Sequence, residues 1–516
     1  MKKANERMRF MKIKMRSGII IISLSLIMTF TAGCKPGGNS SSSGSVESSA
    51  NSSTVSSAVS SNASSETTST AKATPTLTPG KTSSSAASSG NVVSKTDNSF
   101  TQTAVFYEKI TNLGGVTIKL ASPWNEWKVT SGSPPMQVLA AEALTKISKD
   151  YNCKIEVVNV IPSTFQSDII TNFAAGKVYA DIFETQGNII PFAPYTMNVS
   201  KVASLELSRN GWNKFIGSST IHKNVQYGVG FMMTQNLAIS QAIMMFNKTL
   251  ADQYKLPDMY SLVKNKQWTW DKFKELSKSI YDKTGRKTRG MVVQHDSQIE
   301  YLLHTNNISL LAKTGGGQYY FNYNDNKLIS GIQFWSDYAK AGYILGVTGP
   351  EDYGASESKE FMARKSLFYL GDYICTSSQL NPYMEDVYGV LPLPKGPAAS
   401  DYVSVNNTKY FCLTKDNKNI EAAGKVLVAI ANRTSWDMKQ WDEIQLDSAL
   451  RDEASLDMMH RITVMRQVDH EAATRGLTNN YMGAVLDAVL KQEKTPITAM
   501  TEIKGSENAN INNTYN

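Results

Sequence analysis

Cysteine and histidine are scarce in this sequence, and neither falls into a working pattern. The 516 residues hold four cysteines, Cys34, Cys153, Cys375 and Cys412, at spacings that support neither a zinc site nor a disulfide framework. With Cys34 set aside the number is odd, so at least one thiol stays unpaired within the chain, and buried apolar thiols are the expected reading. The five histidines, His222, His295, His304, His460 and His470, include no H-E-x-x-H, which argues against a zinc peptidase. There is no G-x-S-x-G elbow, and Gly315-Gly316-Gly317 lacks the spacing and the Lys-Ser/Thr of a phosphate loop, so it reads as a turn. Asn322 to Asn326 is polar but lacks the alternating acids and closing glutamate of a calcium loop. No metal, cofactor or catalytic set is expected, although carboxylate pairs for glycoside hydrolysis are defined by spatial separation and stay open at this stage.

Long apolar runs are missing too. Ile19 to Phe30 is only about a dozen residues, shorter than the roughly 20 of a membrane span, and it follows a basic stretch carrying Lys2, Lys3, Arg7, Arg9, Lys12, Lys14 and Arg16. This is the layout of a signal peptide, residues 1–33. The run ends Thr31-Ala32-Gly33-Cys34, which resembles a bacterial lipobox with Thr31 where leucine is usual. That resemblance implies acylation of Cys34 and a lipid anchor on the outer face of the cell membrane. The leader also carries most of the charge. Without it the 53 basic and 45 acidic residues fall to 46 and 44, close to neutral, so charge does not point to a nucleic-acid partner.

Residues 34–110 form the next segment. As far as about Asn98 it is almost wholly Ser, Thr, Gly, Ala and Asn, and such a composition cannot bury enough apolar surface to offset its ordering entropy. A disordered tether is expected, and a flexible coil of about 64 residues reaches roughly 40 to 48 Å.

Thereafter hydrophobic periodicity alternates. Val116 to Ala121 reads as a strand, Ala140, Leu144, Ile147 and Tyr151 as a helix stripe, and Ile155 to Val160 as a strand. Phe165, Ile169 and Phe173 give a second helix and Asp181 to Phe183 a third strand. Alternation of this kind predicts an α/β fold with mostly parallel sheets flanked by helices. Further on, Tyr227 to Met233 reads as a strand leading into a buried apolar run that ends Met244-Met245-Phe246-Asn247-Lys248. Thr269 is placed to cap a helix whose Trp270, Phe273, Leu276 and Ile280 share one face. Met291 to Gln294 reads as a short strand, and Ile332 to Ala341 as a helix closed by Gly342. Ile420, Ala423, Leu427 and Ile430 mark another helix, and Met482, Val485, Leu486, Val489 and Leu490 the last strong one.

Four stretches carry a family resemblance: YGVGFMMTQNLAISQAIMMFNK with the following TWDKFKEL, FQSDIITNFAAGKVYADIFE, FMARKSLFYLGDY and YGVLPLPKGP. The first, with YGVG, the apolar crossing, FNK and TWD-F-EL in that order, and the others beside it resemble the extracellular solute-binding proteins of bacterial ABC importers, especially the sugar-binding group. Arg364 stands where the family has glycine and Tyr373 where it has tryptophan. The resemblance implies the two-lobe periplasmic-binding-protein-like fold of type II, joined by a hinge. Lobe one is expected over 111–238 with a return over 410–455, lobe two over 239–409 and 456–505, and a disordered tail over 506–516. It further implies a monomer that takes a small solute between its lobes and delivers it to the membrane subunits of the importer, without catalysis.

In open α/β sheets ligands sit beyond the carboxyl ends of strands. The residues so placed are Trp124, Asn125 and Trp127 after the first strand, Glu184 and Gln186 at the third, Gln235 after the leading strand of the apolar run, and His295 after the short strand. Asp372 and Tyr373 occupy the platform position of the resemblance, and Tyr481 precedes the last helix. Flat rings beside planar hydrogen-bonding groups suit a sugar, whose C–H faces are apolar and whose hydroxyls radiate in the ring plane. Trp268, Trp270, Trp335, Trp436 and Trp441 are expected to pack in cores instead. The rival readings are a binding protein for a peptide, polyamine or metal chelate, and a tethered secreted glycoside hydrolase.

Overall fold

In the computed structural model, residues 105–515 are described, except 125–126, 131–132, 134, 232–241, 294–297, 347–354, 374, 435–441, 444, 447, 470–473, 475–476 and 478–480. The opening alternation forms as the hydrophobic periodicity predicts: β1 (Thr117–Ala121), α1 (Pro135–Asp150), β2 (Lys154–Val157), α2 (Phe165–Ala174) and β3 (Ile182–Gln186). β1 pairs in parallel with both β2 and β3. The α1 stripe Ala140, Leu144, Ile147 and Tyr151 is buried on one core with Ile118 and Leu120 of β1. α2 ends at Ala-Ala-Gly, where Gly176 takes a φ of 68° that a side chain would resist.

After α3 (Lys214–Ser219) come the two-residue strands β4 (Ile221–His222) and β5 (Val225–Gln226). The strand expected from Tyr227 does not form over the described residues to Phe231. Only Val229 makes a bridge, to Phe411. The reason is local: the Tyr227 N–H, the next donor such a ladder would use, donates instead to the Thr220 carbonyl at 3.2 Å.

A second sheet begins with β6 (Ala242–Asn247), every residue of which is buried. Around it the chain lays down α4 (Lys248–Gln253), α5 (Met259–Lys264), α6 (Trp270–Lys283), β7 (Arg289–Val293), α7 (Ile299–His304), β8 (Leu311–Lys313) and β9 (Tyr319–Phe321). It continues through α8 (Asn326–Lys340), β10 (Ile344–Gly346), α9 (Ala355–Met362), β11 (Ser366–Asp372) and β12 (Tyr388–Leu391). The sheet order is β10-β7-β11-β6-β12, with β11 central, parallel to β7 and antiparallel to β6. Thr269 caps α6 as predicted, its hydroxyl accepting from the Lys272 N–H at 3.3 Å, and Trp270, Phe273, Leu276 and Ile280 are buried. Trp268, Trp270 and Trp335 lie in this core. The indole N–H of Trp268 donates to the Pro392 carbonyl at 2.8 Å and that of Trp270 to the Thr305 hydroxyl at 3.0 Å. Trp436 and Trp441 fall outside the described residues.

The chain then runs through β13 (Val403–Asn406), β14 (Lys409–Leu413), α10 (Ile420–Thr434), α11 (Glu453–Val464), β15 (Arg466–Asp469), α12 (Gly483–Leu490) and α13 (Pro496–Tyr515). β14 pairs antiparallel with β3, completing a first sheet of order β14-β3-β1-β2, and α10 covers it. β13 pairs with β15, and Val403 and Val405 pack on the second core. Among the described residues the chain therefore changes core three times: between Phe231 and Ala242, between Asn406 and Lys409, and between Thr434 and Ala449.

Three expected boundaries shift. The stretch assigned to the tether does not extend to residue 110, because Phe106 is buried and Glu108 is ion-paired. The return to the first core ends before residue 455, since Ala449 and Leu450 pack with the second. Residues 506–515 are not a disordered tail. They belong to α13, where Ile511 is fully buried, Asn508 Oδ1 accepts the Phe321 N–H at 2.8 Å, and Tyr515 packs on Tyr319 with centroids 4.8 Å apart.

Candidate functional site

Parallel strands end together, so the carboxyl edge of the first sheet gathers the loops that leave β1 and β3. β14 runs the other way, which brings its first residue to that same edge. Lys409 consequently lies opposite Gln186 in register. The Lys409 side chain, largely buried, sets its ammonium 4.1 Å from the centroid of the Trp124 ring. The turn that presents this indole is fixed by Ser122, whose hydroxyl accepts the Trp124 N–H at 3.3 Å. One face of a partly exposed indole thus carries a cation, an attraction of about 0.5 to 2 kcal/mol that orients the ring.

Trp127 and Glu184, expected beside them, are core residues. The Trp127 indole N–H donates to Glu184 Oε2 at 3.2 Å, both residues are buried, and the ring meets Phe411 edge-on at 6.1 Å. The pair serves to hold the strand ends: a carboxylate facing inward from β3 gains a donor in the core, and the indole loses its polar edge to that carboxylate.

On the second sheet, Asp372 is the last residue of the central strand. Its residue surface is partly exposed, but Oδ1 is buried and has no hydrogen-bond partner, and burial pushes the carboxyl up to about 6. Tyr373, the expected platform, turns the other way. Its ring is 3% exposed among Met245, Tyr388 and Leu450, and its hydroxyl donates to Gln445 Oε1 at 2.6 Å. Tyr481 is likewise buried, edge-on to Phe321 at 6.0 Å, with its hydroxyl donating to Glu300. Glu300, wholly buried in the first turn of α7, has its carboxyl raised to about 8 by that burial, against the opposing pull of the Tyr481 hydroxyl. Asn125, Gln235, His295 and the lipidation candidate Cys34 lie outside the described residues.

The structure adds two residues that the sequence reading missed, Lys409 and Asn407. Asn407, on the passage between β13 and β14, donates its side-chain N–H to the Tyr301 hydroxyl of α7 at 3.4 Å, and its Oδ1 is buried without a partner. Its neighbours are satisfied: Asn406 donates to Gln467 at 2.7 Å and Thr408 to Asn406 at 2.9 Å. Nothing in the local pattern N-N-T-K distinguishes one asparagine from the next, so only the packing identifies Asn407. Buried acceptors without donors cost about 1 to 3 kcal/mol each, a cost that a donor-rich molecule would relieve. Chemically the edge of the first sheet offers an aromatic ring, an amide and an ammonium, the end of the second sheet's central strand a carboxylate, and the passage between β13 and β14 a spare amide oxygen. Among the described residues no group of three His, Cys, Asp or Glu is placed to hold a metal ion, and no helix is long and apolar enough to cross a membrane.

Residues 127–433 match the family described as bacterial extracellular solute-binding protein. No curated protein sequence matches the chain. Solved structures do resemble it. An ABC substrate-binding protein of Listeria monocytogenes, in complex with cycloalternan, is 15% identical with a TM-score of 0.53, over 78% of this chain and 99% of the other. The sugar-binding protein MalE of Xanthomonas citri is 12% identical with a TM-score of 0.57, over 77% and 98%. UgpB of Mycobacterium tuberculosis, in complex with glycerophosphocholine, is 14% identical with a TM-score of 0.55, over 78% and 99%. At such identities the likeness is one of fold: two α/β lobes of the periplasmic-binding-protein kind.

Proposed function

The chain belongs to the bacterial extracellular solute-binding proteins, and from that membership we propose that it captures a sugar or oligosaccharide between its two lobes and delivers it to the membrane subunits of an ABC importer. Trp124, Gln186 and Lys409 would receive the solute from the first sheet, Asp372 from the second, and Asn407 from the passage between them. The observation that carries this reading is Trp124, partly exposed at the strand ends, with the Lys409 ammonium 4.1 Å from its ring centroid. An aromatic face takes the C–H side of a pyranose, while the amide and carboxylate accept its hydroxyls. Relatives of this fold hold ligands as different as cycloalternan and glycerophosphocholine, so the ligand class rests on the chemistry of the site. The role is binding without turnover, by a monomer held at the outer face of the membrane through a lipid on Cys34.

A thermal-shift and calorimetric screen over neutral oligosaccharides, amino sugars, peptides and polyamines tests this directly. Saturable one-to-one binding of a neutral saccharide, with no product released, is the expected result. Binding confined to peptides or polyamines would overturn the sugar assignment, and cleavage of the saccharide would establish the hydrolase.

A further inference from the structure

We propose that the segment from Val105 to Ile110 is a hinge brace, tying together the first-sheet ends of all three passages between the cores so that its seating sets how easily the two lobes turn. This goes beyond solute capture, and its test needs no solute.

The three passages leave the first core at Phe231, just before Phe411, and after Thr434. The segment touches the first and the third of these places directly and the second through Phe231. Phe106, 4% exposed, meets Phe231 edge-on at 6.2 Å and Trp212 at 4.9 Å. Phe231 is stacked on Phe411, with centroids 5.2 Å apart and planes 11° apart, and the backbones of Val229 and Phe411 exchange hydrogen bonds of 3.0 and 2.8 Å. Two residues on, Glu108 grips Arg433 in the last turn of α10. The guanidinium Nε donates to the two carboxylate oxygens at 3.0 and 3.2 Å, and Nη2 donates to Oε1 as well. Arg433 Nη1 continues to Asp150 at 2.7 Å, and Asn432 donates to Glu108 at 2.9 Å. The segment is pinned further by the Tyr107 N–H on Asn210 at 2.7 Å and by the Gly211 N–H on the Val105 carbonyl at 2.9 Å.

A hinge turns by rotation of a few backbone dihedrals where each passage leaves its lobe. When the roots of several passages are packed on one another, those rotations must occur together. The ring train from Phe106 through Phe231 to Phe411, and the largely dehydrated pair Glu108 and Arg433, make the roots one packed unit. Phe411 also stands two residues beyond Lys409, whose ammonium covers Trp124, so brace and candidate site share β14.

Amide hydrogen exchange on the full chain without added solute decides the matter. In Glu108→Ala and in Phe106→Ala, peptides covering residues 403–412 and 426–434 are expected to exchange about fivefold or more faster than wild type, while α6 in the second core stays as protected as before. Faster exchange confined to residues 105–113 would overturn the proposal, since the segment would then fray without touching the passages. Uniform acceleration across both cores would overturn it equally. Should an alanine variant fail to fold, Glu108→Asp, which keeps the charge and shortens the reach, is read by the same criteria. The outcome is independent of which solute, if any, the protein binds.

Discussion

Lys409 and Trp124 are 285 positions apart in sequence, and the ammonium of one lies 4.1 Å from the ring centroid of the other. The lysine owes its place to β14 running antiparallel to β3, which puts it across from Gln186 at the edge where β1 also ends.

Trp124→Ala should weaken binding of any saccharide found in the screen by about tenfold or more, since a stacked indole contributes more than about 1 kcal/mol. Lys409→Met should weaken it less, because it removes the orienting cation but keeps the ring. Calorimetric titration of both variants against the same saccharide checks the order. Equal affinity for wild type and Trp124→Ala would mean that the indole does not touch the solute.

Asp372 should make stability depend on pH. Its carboxyl is held up to about 6, from an ordinary 3.8, by burial. Between those values the folded chain keeps a proton that the unfolded chain has lost, so this group's contribution to stability falls as pH rises through the window and stays low above it. Asp372→Asn should therefore flatten the melting profile between about pH 4 and 6 and raise the melting temperature at pH 7. A variant profile that keeps the wild-type slope would show that Asp372 has found a donor in solution.

Glu300 and Tyr481 give a second window, reaching higher than the first. The Glu300 carboxyl moves from an ordinary 4.5 to about 8 through burial, and its contribution to stability again falls as pH rises, from about 4.5 to about 8. Glu300→Gln, which can still accept the Tyr481 hydroxyl, should remove that slope and add stability above pH 8, on the order of a few kcal/mol at most. Tyr481→Phe should cost about 1 to 3 kcal/mol, because it removes a hydroxyl donor to the buried carboxyl. Saccharide affinity should be unchanged in Tyr481→Phe and in Tyr373→Phe, since both hydroxyls are spent inside a core. Urea unfolding from pH 4 to 9, with titrations alongside, checks both statements.

The local pattern of this chain determined most of its elements. Periodicities of two and 3.6 found β1 to β3, their helices and α6, because amphipathic spacing reports which face of an element must leave water, whatever that face later packs against, while β6 was legible only as a continuous apolar run. Thr269 was readable as a cap for the same reason: its hydroxyl answers an N–H three residues away. Family-like stretches were legible because they keep order along the chain. The tertiary structure alone decided which way each site candidate faces. Trp124 and Trp127 stand three residues apart in sequence, and one meets Lys409 while the other is sealed over Glu184. Asp372 and Tyr373 are adjacent, and the aromatic goes into the core, leaving the carboxylate at the strand end. No periodicity covers such loops, so the choice falls to long-range partners: Gln445 for Tyr373, Glu300 for Tyr481, Lys409 for Trp124. The same holds at both chain ends, where Phe106 and Ile511 are ordinary apolar residues until cores distant in sequence bury them.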